Sequence, residues 1–277
     1  MEERENHPAR IGRARRFVNN AYPQWVSRMS PFELDRGALM WAGRKMLPAL
    51  DQLAVRYSTI ADHQVFPNAL FPWTEHLESH WRSIRTEADA VLHDRRSIPP
   101  LRRLSPDHHL IAVDDRWRSF FLWGYGLRWK ANCDRCPQTT RLLEAVPDLL
   151  SAFFSVLLPG SHIPRHTGPT KTILTAHLGL TVPRDRGACR MRIGDHDVTW
   201  EEGRVLVFDD MYPHEVWNDS KEDRVVLLLH VKRPQRFPGS VLSDGFFAAL
   251  RRSAFVQDGL RNLEDWEKAR KAEAASL

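Results

Sequence analysis

Two kinds of hydrophobic spacing divide the chain. Up to about residue 94, apolar residues recur every three or four positions, which is the spacing of one face of an α-helix. We predict a helix in "WTEHLESHWRSIRTEADAVLHD", capped by Thr74, and an earlier one in "ELDRGALMWAGRKMLPALDQLAVRY", broken at Pro48. The segment "SIPPLRRLSP" is then predicted to interrupt regular structure.

From about residue 117, short apolar segments alternate with polar turns. We predict strands in "SFFLWGYGL", "FFSVLLPG", "TILTAHLGLTVP", "CRMRI", "VTW", "RVLVFDD" and "RVVLLLHVKRP". Closely spaced strands of this kind are typical of an antiparallel barrel or jelly roll, and the tail again has helical spacing.

The predicted fold class is mainly β with flanking helices, built on an antiparallel barrel or jelly-roll core. We expect a helical extension over residues 1–60, the β domain with its leading helix over 61–235, and a helical segment over 236–277.

Two of the predicted strands carry polar side chains on one face only. In "TILTAHLGLTV", Thr175 and His177 lie opposite a fully apolar face. In "RVVLLLHV", Arg224 and His230 share one face but stand about 20 Å apart, too far to serve one small site. A polar face between apolar neighbours is what a strand lining a cavity inside a barrel would show.

Composition narrows the class of protein. The chain has 277 residues, 42% hydrophobic and 27% charged, and no apolar run approaches the ~20 residues of a membrane span. Its acidic start lacks the apolar core of a secretory signal, so a cytoplasmic location is expected. The net charge of +5 comes with dispersed arginines and no nucleic-acid-binding motif, so no nucleic-acid partner is expected.

Three cysteines do not make a disulfide framework. Cys133 and Cys136 have ligand-like spacing in "CDRC", but a zinc site needs about two more ligands. An ordinary loop is the favoured interpretation there, with a redox disulfide as the alternative. Surface positions are predicted for four histidines: His108, His109, His162 and His196.

A specific series of motifs remains. In order, "HTGPT", "HLGL", "WEEG", "FDD" and "HEVWN", followed by Arg224, resemble the aspartyl/asparaginyl β-hydroxylase family of 2-oxoglutarate- and Fe(II)-dependent oxygenases. The likeness covers roughly residues 60 to 235. It implies a double-stranded β-helix (jelly-roll, cupin-like) core and a hydroxylase that uses Fe(II), 2-oxoglutarate as cosubstrate and O₂.

The resemblance also implies roles for individual residues. His166 and His214 would ligate the iron, and Arg224 would pair with the distal carboxylate of 2-oxoglutarate, so these three are the predicted catalytic residues. Ser155 would assist at that carboxylate. His177 would lie near the metal-binding carboxylate of the cosubstrate.

Some positions depart from what such enzymes commonly carry. Most 2-oxoglutarate oxygenases have a carboxylate two residues after the first histidine, where this chain has Gly168, although the resembled family lacks it too. Thr175 stands where that family commonly has an arginine, which weakens the case for an acidic substrate. We assign Thr175 and Asp210 to contact with the substrate. For Asp209 and Asp210 together, substrate contact and turn capping stay open.

The substrate class also stays open. The resemblance favours the β-carbon of an amino-acid residue, a free or carrier-bound amino acid, or a peptide-like natural product. Lipid A acyl-chain hydroxylation and halogenation are the alternatives within the class. A cupin-like binding module without catalysis is the alternative outside it, and such a module would not convert 2-oxoglutarate to succinate.

Overall fold

A computed structural model describes residues 46–94, 98–105, 108 and 110–275. Most of the predicted N-terminal extension therefore lies outside the described residues. Residues 46–56 form a helix, α1, which continues past Pro48, where the sequence predicts a break. Proline interferes only with the turn that precedes it, so the residues after Pro48 remain helical.

The next predicted helix forms as two, α2 (Trp73–Ser79) and α3 (Trp81–His93), separated by His80. The prediction that Thr74 caps the helix is wrong, because its hydroxyl lies inside α2 and donates to the carbonyl of Phe71 at 2.8 Å. The predicted apolar stripe is confirmed by the buried side chains Leu77, Ile84, Ala88 and Val91.

The strands form two antiparallel sheets in the described part of the chain. They are β1 (Val65–Phe66), β2 (Trp117–Gly124), β3 (Leu127–Arg128), β4 (Leu149–Leu157), β5 (Ser161–His166), β6 (Ile173–Thr181), β7 (Cys189–Ile193), β8 (His196–Val198), β9 (Val205–Phe208), β10 (His214–Asn218) and β11 (Arg224–Lys232). The larger sheet has the order β1-β9-β6-β11-β4-β2-β3, and the smaller one has β5-β10-β7-β8.

This sandwich of two antiparallel sheets with flanking helices confirms the predicted jelly-roll fold class. The strand predicted at "VTW" begins earlier, as β8. Strands β5 and β10 are not predicted from the sequence. Pro164 lies within β5, and a proline is tolerated there because β5 is the edge strand of the smaller sheet.

The larger sheet separates two apolar layers. On one face, the apolar sides of β6 and β11 pack with α3, as Leu178 and Leu227 do with Ile84. On the other face, Leu228 and Phe153 pack toward the smaller sheet. The sequence-predicted assignment of strand faces is thus confirmed.

The remaining helices are short or lie near the C-terminus: α4 (Leu101–Leu104), α5 (Lys130–Arg135), α6 (Pro137–Glu144), α7 (Gly239–Arg251) and α8 (Ala254–Ala275). Helix α4 forms inside the segment predicted to be irregular. None of the helices in the described ranges is long and apolar enough to cross a membrane.

The "CDRC" segment is not the loop that the sequence favours. Cys133 lies in α5 and Cys136 follows directly, at the boundary with α6. Both thiols are free and buried, and burial raises the pKa of Cys136 to about 12. A thiol with so high a pKa is a poor nucleophile, and the pair serves as core packing.

Candidate functional site

One cavity lies between the two sheets and extends beneath helices α4 and α8. It brings together all of the site residues predicted from the sequence: Ser155, His166, Thr175, His177, Asp210, His214 and Arg224. They come from β4, β5, β6, β10, β11 and the turn before β10, so only the folded sandwich collects them.

His166 and His214 lie directly opposite each other, at the end of β5 and the start of β10. Their ring centroids are 4.1 Å apart. Nδ1 of His166 donates to the carbonyl of Pro164 at 2.8 Å, and Nδ1 of His214 donates to that of Tyr212 at 3.1 Å. Because a carbonyl only accepts, each Nδ1 carries the proton and each Nε2 keeps a free lone pair.

Burial keeps both rings neutral. It lowers the pKa of His166 below its ordinary value and that of His214 to about 3. Neutral imidazoles with the proton fixed on Nδ1 by a backbone carbonyl are suited to bind a metal through Nε2. Within the described residues, no cluster of three or more histidine, cysteine or acidic side chains is arranged for a metal. The donor set is therefore a pair.

Gly168 lies in contact with Asp210. A Cβ added to Gly168 would overlap the carboxyl group of Asp210, and the amide of Gly168 donates to the Asp210 carbonyl at 2.7 Å. Asp210 Oδ2 accepts from the hydroxyl of Thr175 at 2.9 Å, while Oδ1 is buried without a hydrogen-bond partner among the described residues. A carboxyl group thus lies beside the position where many related oxygenases carry one, but it comes from another strand end.

The Asp210 carboxyl has a pKa close to neutral pH. Burial, and then the charge of Asp209, raise its pKa to about 7. Asp209 itself faces away from the cavity and accepts from Arg233, and from Lys171 at 2.7 Å. Its other oxygen accepts from the amide of Met211 at 3.0 Å, so Asp209 caps the turn and Asp210 lines the cavity.

Arg224 is buried and lies on the face of β11 that lines the cavity, at the other end of the strand from His230. Its guanidinium lies over the ring of Trp200, 4.6 Å from the centroid. Nε and Nη1 are buried, and the described residues offer them no hydrogen-bond partner. A buried cation with two unused donors is a site for an anion such as a carboxylate.

His177 presents a further unused donor. Trp200 Nε1 donates to Nδ1 of His177 at 3.0 Å. Since burial holds the pKa of His177 well below its ordinary value, the ring is neutral and its proton lies on Nε2. That Nε2 is buried with no partner among the described residues, and the side chain lines the cavity.

Ser155 completes the polar end of the cavity. Its Oγ accepts from Trp117 Nε1 at 3.1 Å, so the hydroxyl proton is free to be donated. Ser155 lies directly opposite Val226 on β11, two residues from Arg224 along that strand. Arg224, His177 and Ser155 thus supply unsatisfied donors to one region, which suits an anionic, oxygen-rich ligand.

Two other histidines line the cavity. His230 lies on the polar face that the sequence predicts for β11, and no role is predicted for it. His108 is predicted to be a surface residue, and this is wrong because it lines the cavity after α4. It follows a segment without a periodic pattern, so no signal in the sequence marks it. His162 and His196 are exposed, as predicted, and His109 lies outside the described residues.

Comparison with known proteins agrees with the motifs. A family model described as "Aspartyl/Asparaginyl beta-hydroxylase" matches residues 78–234. The "Ornithine lipid ester-linked acyl 2-hydroxylase" of Rhizobium tropici is 34% identical over 227 residues, which cover 82% of this chain and 81% of that protein. Human "Aspartyl/asparaginyl beta-hydroxylase" is 36% identical over 167 residues, 58% of this chain but only 21% of the human protein.

Among solved structures, a Pseudomonas putida prolyl-4-hydroxylase matches with a TM-score of 0.36 and 20% sequence identity. The match covers 56% of this chain and 88% of that one.

Proposed function

The chain belongs to the aspartyl/asparaginyl β-hydroxylase family and is a hydroxylase; we propose that it uses Fe(II), 2-oxoglutarate and O₂ to hydroxylate an unactivated carbon of a fatty-acyl chain. One observation carries the proposal. A pair of neutral histidines and an unpaired buried arginine lie in the same cavity as a long apolar lining.

The histidine pair suits iron. His166 and His214 would hold the metal through Nε2, the atom that each ring leaves free. Two nitrogen donors, with no third ligand among the described residues, leave positions for oxygen ligands, as a non-haem Fe(II) oxygenase requires. The Pro164 and Tyr212 carbonyls would keep the rings oriented, which raises the basicity of the ligands.

The anion end of the cavity suits 2-oxoglutarate. Arg224 would pair with one carboxylate through Nε and Nη1, a geometry that lysine cannot reproduce. His177 would donate through Nε2, and Ser155 through its hydroxyl. When bound, iron and 2-oxoglutarate supply the oxidising power for C–H hydroxylation, while this chain binds, orients and shields the reactants.

The other end of the cavity supports an acyl substrate. Its lining includes mainly apolar side chains: Leu101, Leu104, Phe121, Trp129, Phe153, Val256, Leu260 and Leu263. Arg224 is the one lysine or arginine among the described lining residues. The Rhizobium tropici relative is named for an acyl 2-hydroxylase and matches most of both chains. Burial of a methylene chain among such side chains stabilises the complex by ~0.8 kcal/mol per methylene.

Thr175 and Asp210 would bound the substrate where the two ends of the cavity meet. The Thr175 hydroxyl fixes the Asp210 carboxyl, and Asp210 Oδ1 remains available to a hydrogen-bond donor in the cavity. An amino-acid side chain, which the sequence favours, is the second candidate substrate. The human relative supports it, but Thr175 offers no cation for an acidic group.

Metal binding tests the cofactor assignment. Under anaerobic conditions, purified protein should bind one equivalent of Fe(II), and 2-oxoglutarate should bind more tightly with the metal than without it. His166→Ala and His214→Ala should lose the metal. His162→Ala should keep it, because the exposed His162 pairs with Glu215 and does not line the cavity. Equal metal binding by all four proteins would refute the assignment.

Uncoupled and coupled turnover test the substrate class. Conversion of 2-oxoglutarate to succinate should accelerate with a lipid that carries ester-linked acyl chains, and not with an aspartate-containing peptide. The reverse pattern would favour the amino-acid substrate. No succinate with either substrate, in protein shown to hold iron, would favour the binding-module alternative.

A further inference from the structure

His230 lies close to Thr175 and Asp210, at the end of the cavity away from Arg224. In the register of β6 and β11 it is directly opposite Thr175, whose hydroxyl holds the carboxyl of Asp210. Opposite residues in antiparallel strands have Cβ atoms roughly 5 Å apart. Asp210 in turn contacts Gly168, two residues after His166. His230 is therefore one strand away from the polar centre of the cavity.

His108 approaches the same region from the opposite wall. Its Nδ1 lies 2.6 Å from the hydroxyl of Ser105, just after α4. His108 is close enough to both His230 and His166 for their charges to act on one another. The ring of His230 packs edge-on against Phe153, with centroids 6.3 Å apart, and no described residue is hydrogen-bonded to its imidazole.

Both rings are neutral at physiological pH. Burial lowers the pKa of His108 to about 4 and, together with the nearby His108, lowers that of His230 to about 4. A neutral imidazole still offers one N–H donor, but it brings no charge. This end of the cavity is thus polar without being cationic.

Such an environment discriminates between two kinds of acyl group. A free carboxylate placed here would be buried without a cation, because the one described arginine of the lining lies six residues away along β11. The carbonyl of an ester or amide needs only a donor. The lining also includes Leu260 and Leu263 on α8, against which methylene groups would pack.

We propose that His230, with His108 beside it, forms the subsite that holds the uncharged carbonyl of an ester- or amide-linked acyl chain. The methylene groups of the acyl chain then lie against the apolar lining, and its first carbons lie next to Thr175 and Asp210. This inference rests on the proposed acyl substrate and deepens it. It makes His230 a determinant of specificity for esterified chains over free fatty acids.

Ligand binding without metal tests the subsite. Calorimetric titration at pH 8, with excess 2-oxoglutarate present to occupy Arg224, would compare methyl decanoate with decanoate, which share the chain and differ in the charge of the head. Wild-type protein should bind the ester about tenfold more tightly. His230→Phe should lose about tenfold in ester affinity and with it the preference, because it keeps a ring but lacks the donor. His230→Asn should retain the preference through its amide.

A control variant separates binding of the ester or carboxylate group from binding of the methylene chain. Leu263→Ala should weaken both ligands by the same factor, because Leu263 lines the apolar part of the cavity. Equal affinities in wild type, or a preference unchanged in His230→Phe, would overturn the subsite and leave the acyl proposal standing. Failure of wild type to bind either ligand would overturn the acyl proposal and the subsite together.

Discussion

Replacing Arg224 with methionine separates the cost of a buried charge from its use. Arg224 is buried, and its Nε and Nη1 have no partner among the described residues. Methionine preserves much of the apolar length of the side chain and removes the charge. If the guanidinium exists to bind a carboxylate, the variant should lose cosubstrate binding without losing stability.

The structure gives the size of each effect. Burial lowers the pKa of Arg224 from 12.5 to about 10, a destabilisation of the charged form of roughly 3 kcal/mol. For a cation with a lowered pKa, this cost is fully present at neutral pH and declines only as pH rises from about 10 toward 12.5. Contact with the Trp200 ring returns ~2 kcal/mol. Arg224→Met should therefore leave the free energy of unfolding unchanged or raise it by about 1 kcal/mol.

Cosubstrate affinity should change far more. Removing one partner of a buried, hydrogen-bonded ion pair costs ~3 to 5 kcal/mol, which corresponds to a loss of about 10²-fold to 4 × 10³-fold in affinity for 2-oxoglutarate. Anaerobic calorimetry with Fe(II) present would measure the affinity, and urea denaturation the stability. Arg186→Met is the matched control, because Arg186 is exposed and pairs only with exposed Glu201. An Arg224→Met protein that is strongly destabilised yet binds 2-oxoglutarate normally would refute the reasoning.

Three other predictions follow from single contacts. Gly168→Ala should destabilise the protein by about 1 to 3 kcal/mol in urea denaturation, because its Cβ would overlap the Asp210 carboxyl. Adding Asp210→Ala should restore most of the lost stability, and purely additive losses would contradict the contact. Burial raises the pKa of Asp51 to about 6, so its protonated form stabilises the fold at low pH and that contribution is lost as pH rises through about 6. Between pH 4 and pH 7 the wild type should lose roughly 3 kcal/mol relative to Asp51→Asn, and parallel pH profiles would argue against it. Trp200→Phe removes the donor that fixes the His177 tautomer, so 2-oxoglutarate affinity should fall about tenfold with metal binding unchanged, and an unaltered affinity would rule that contact out.

The sequence predicts the site best where a strand alternates. Thr175 and His177 on β6 are predicted to face a cavity because every second residue is apolar, and the structure confirms this face. The same alternation separates Arg224 from the apolar side of β11. A period of two is set by the backbone alone, so it can be seen without knowing the partner strands.

What the sequence misses depends on tertiary contacts. Strands β5 and β10 are short and polar, and their pairing in the smaller sheet, of β5 with β10 and of β10 with β7, makes them strands. The orientation of Asp210 toward the cavity follows from the turn that Asp209 caps, and neither aspartate carries that information by itself. His108 reaches the cavity from a non-periodic segment, where no pattern indicates burial.

Isotope labelling of the product tests directly whether the enzyme transfers oxygen from O₂ to an acyl carbon. The iron-loaded enzyme would react with 2-oxoglutarate, an ester-linked acyl lipid and ¹⁸O₂, and mass spectrometry would follow the acyl chain. The account predicts an acyl chain that gains one labelled hydroxyl oxygen, with one succinate formed per hydroxylated chain, and no label in His166→Ala or His214→Ala. Succinate formed with the acyl chain unlabelled and unchanged would contradict the claim that this cavity hydroxylates an acyl carbon.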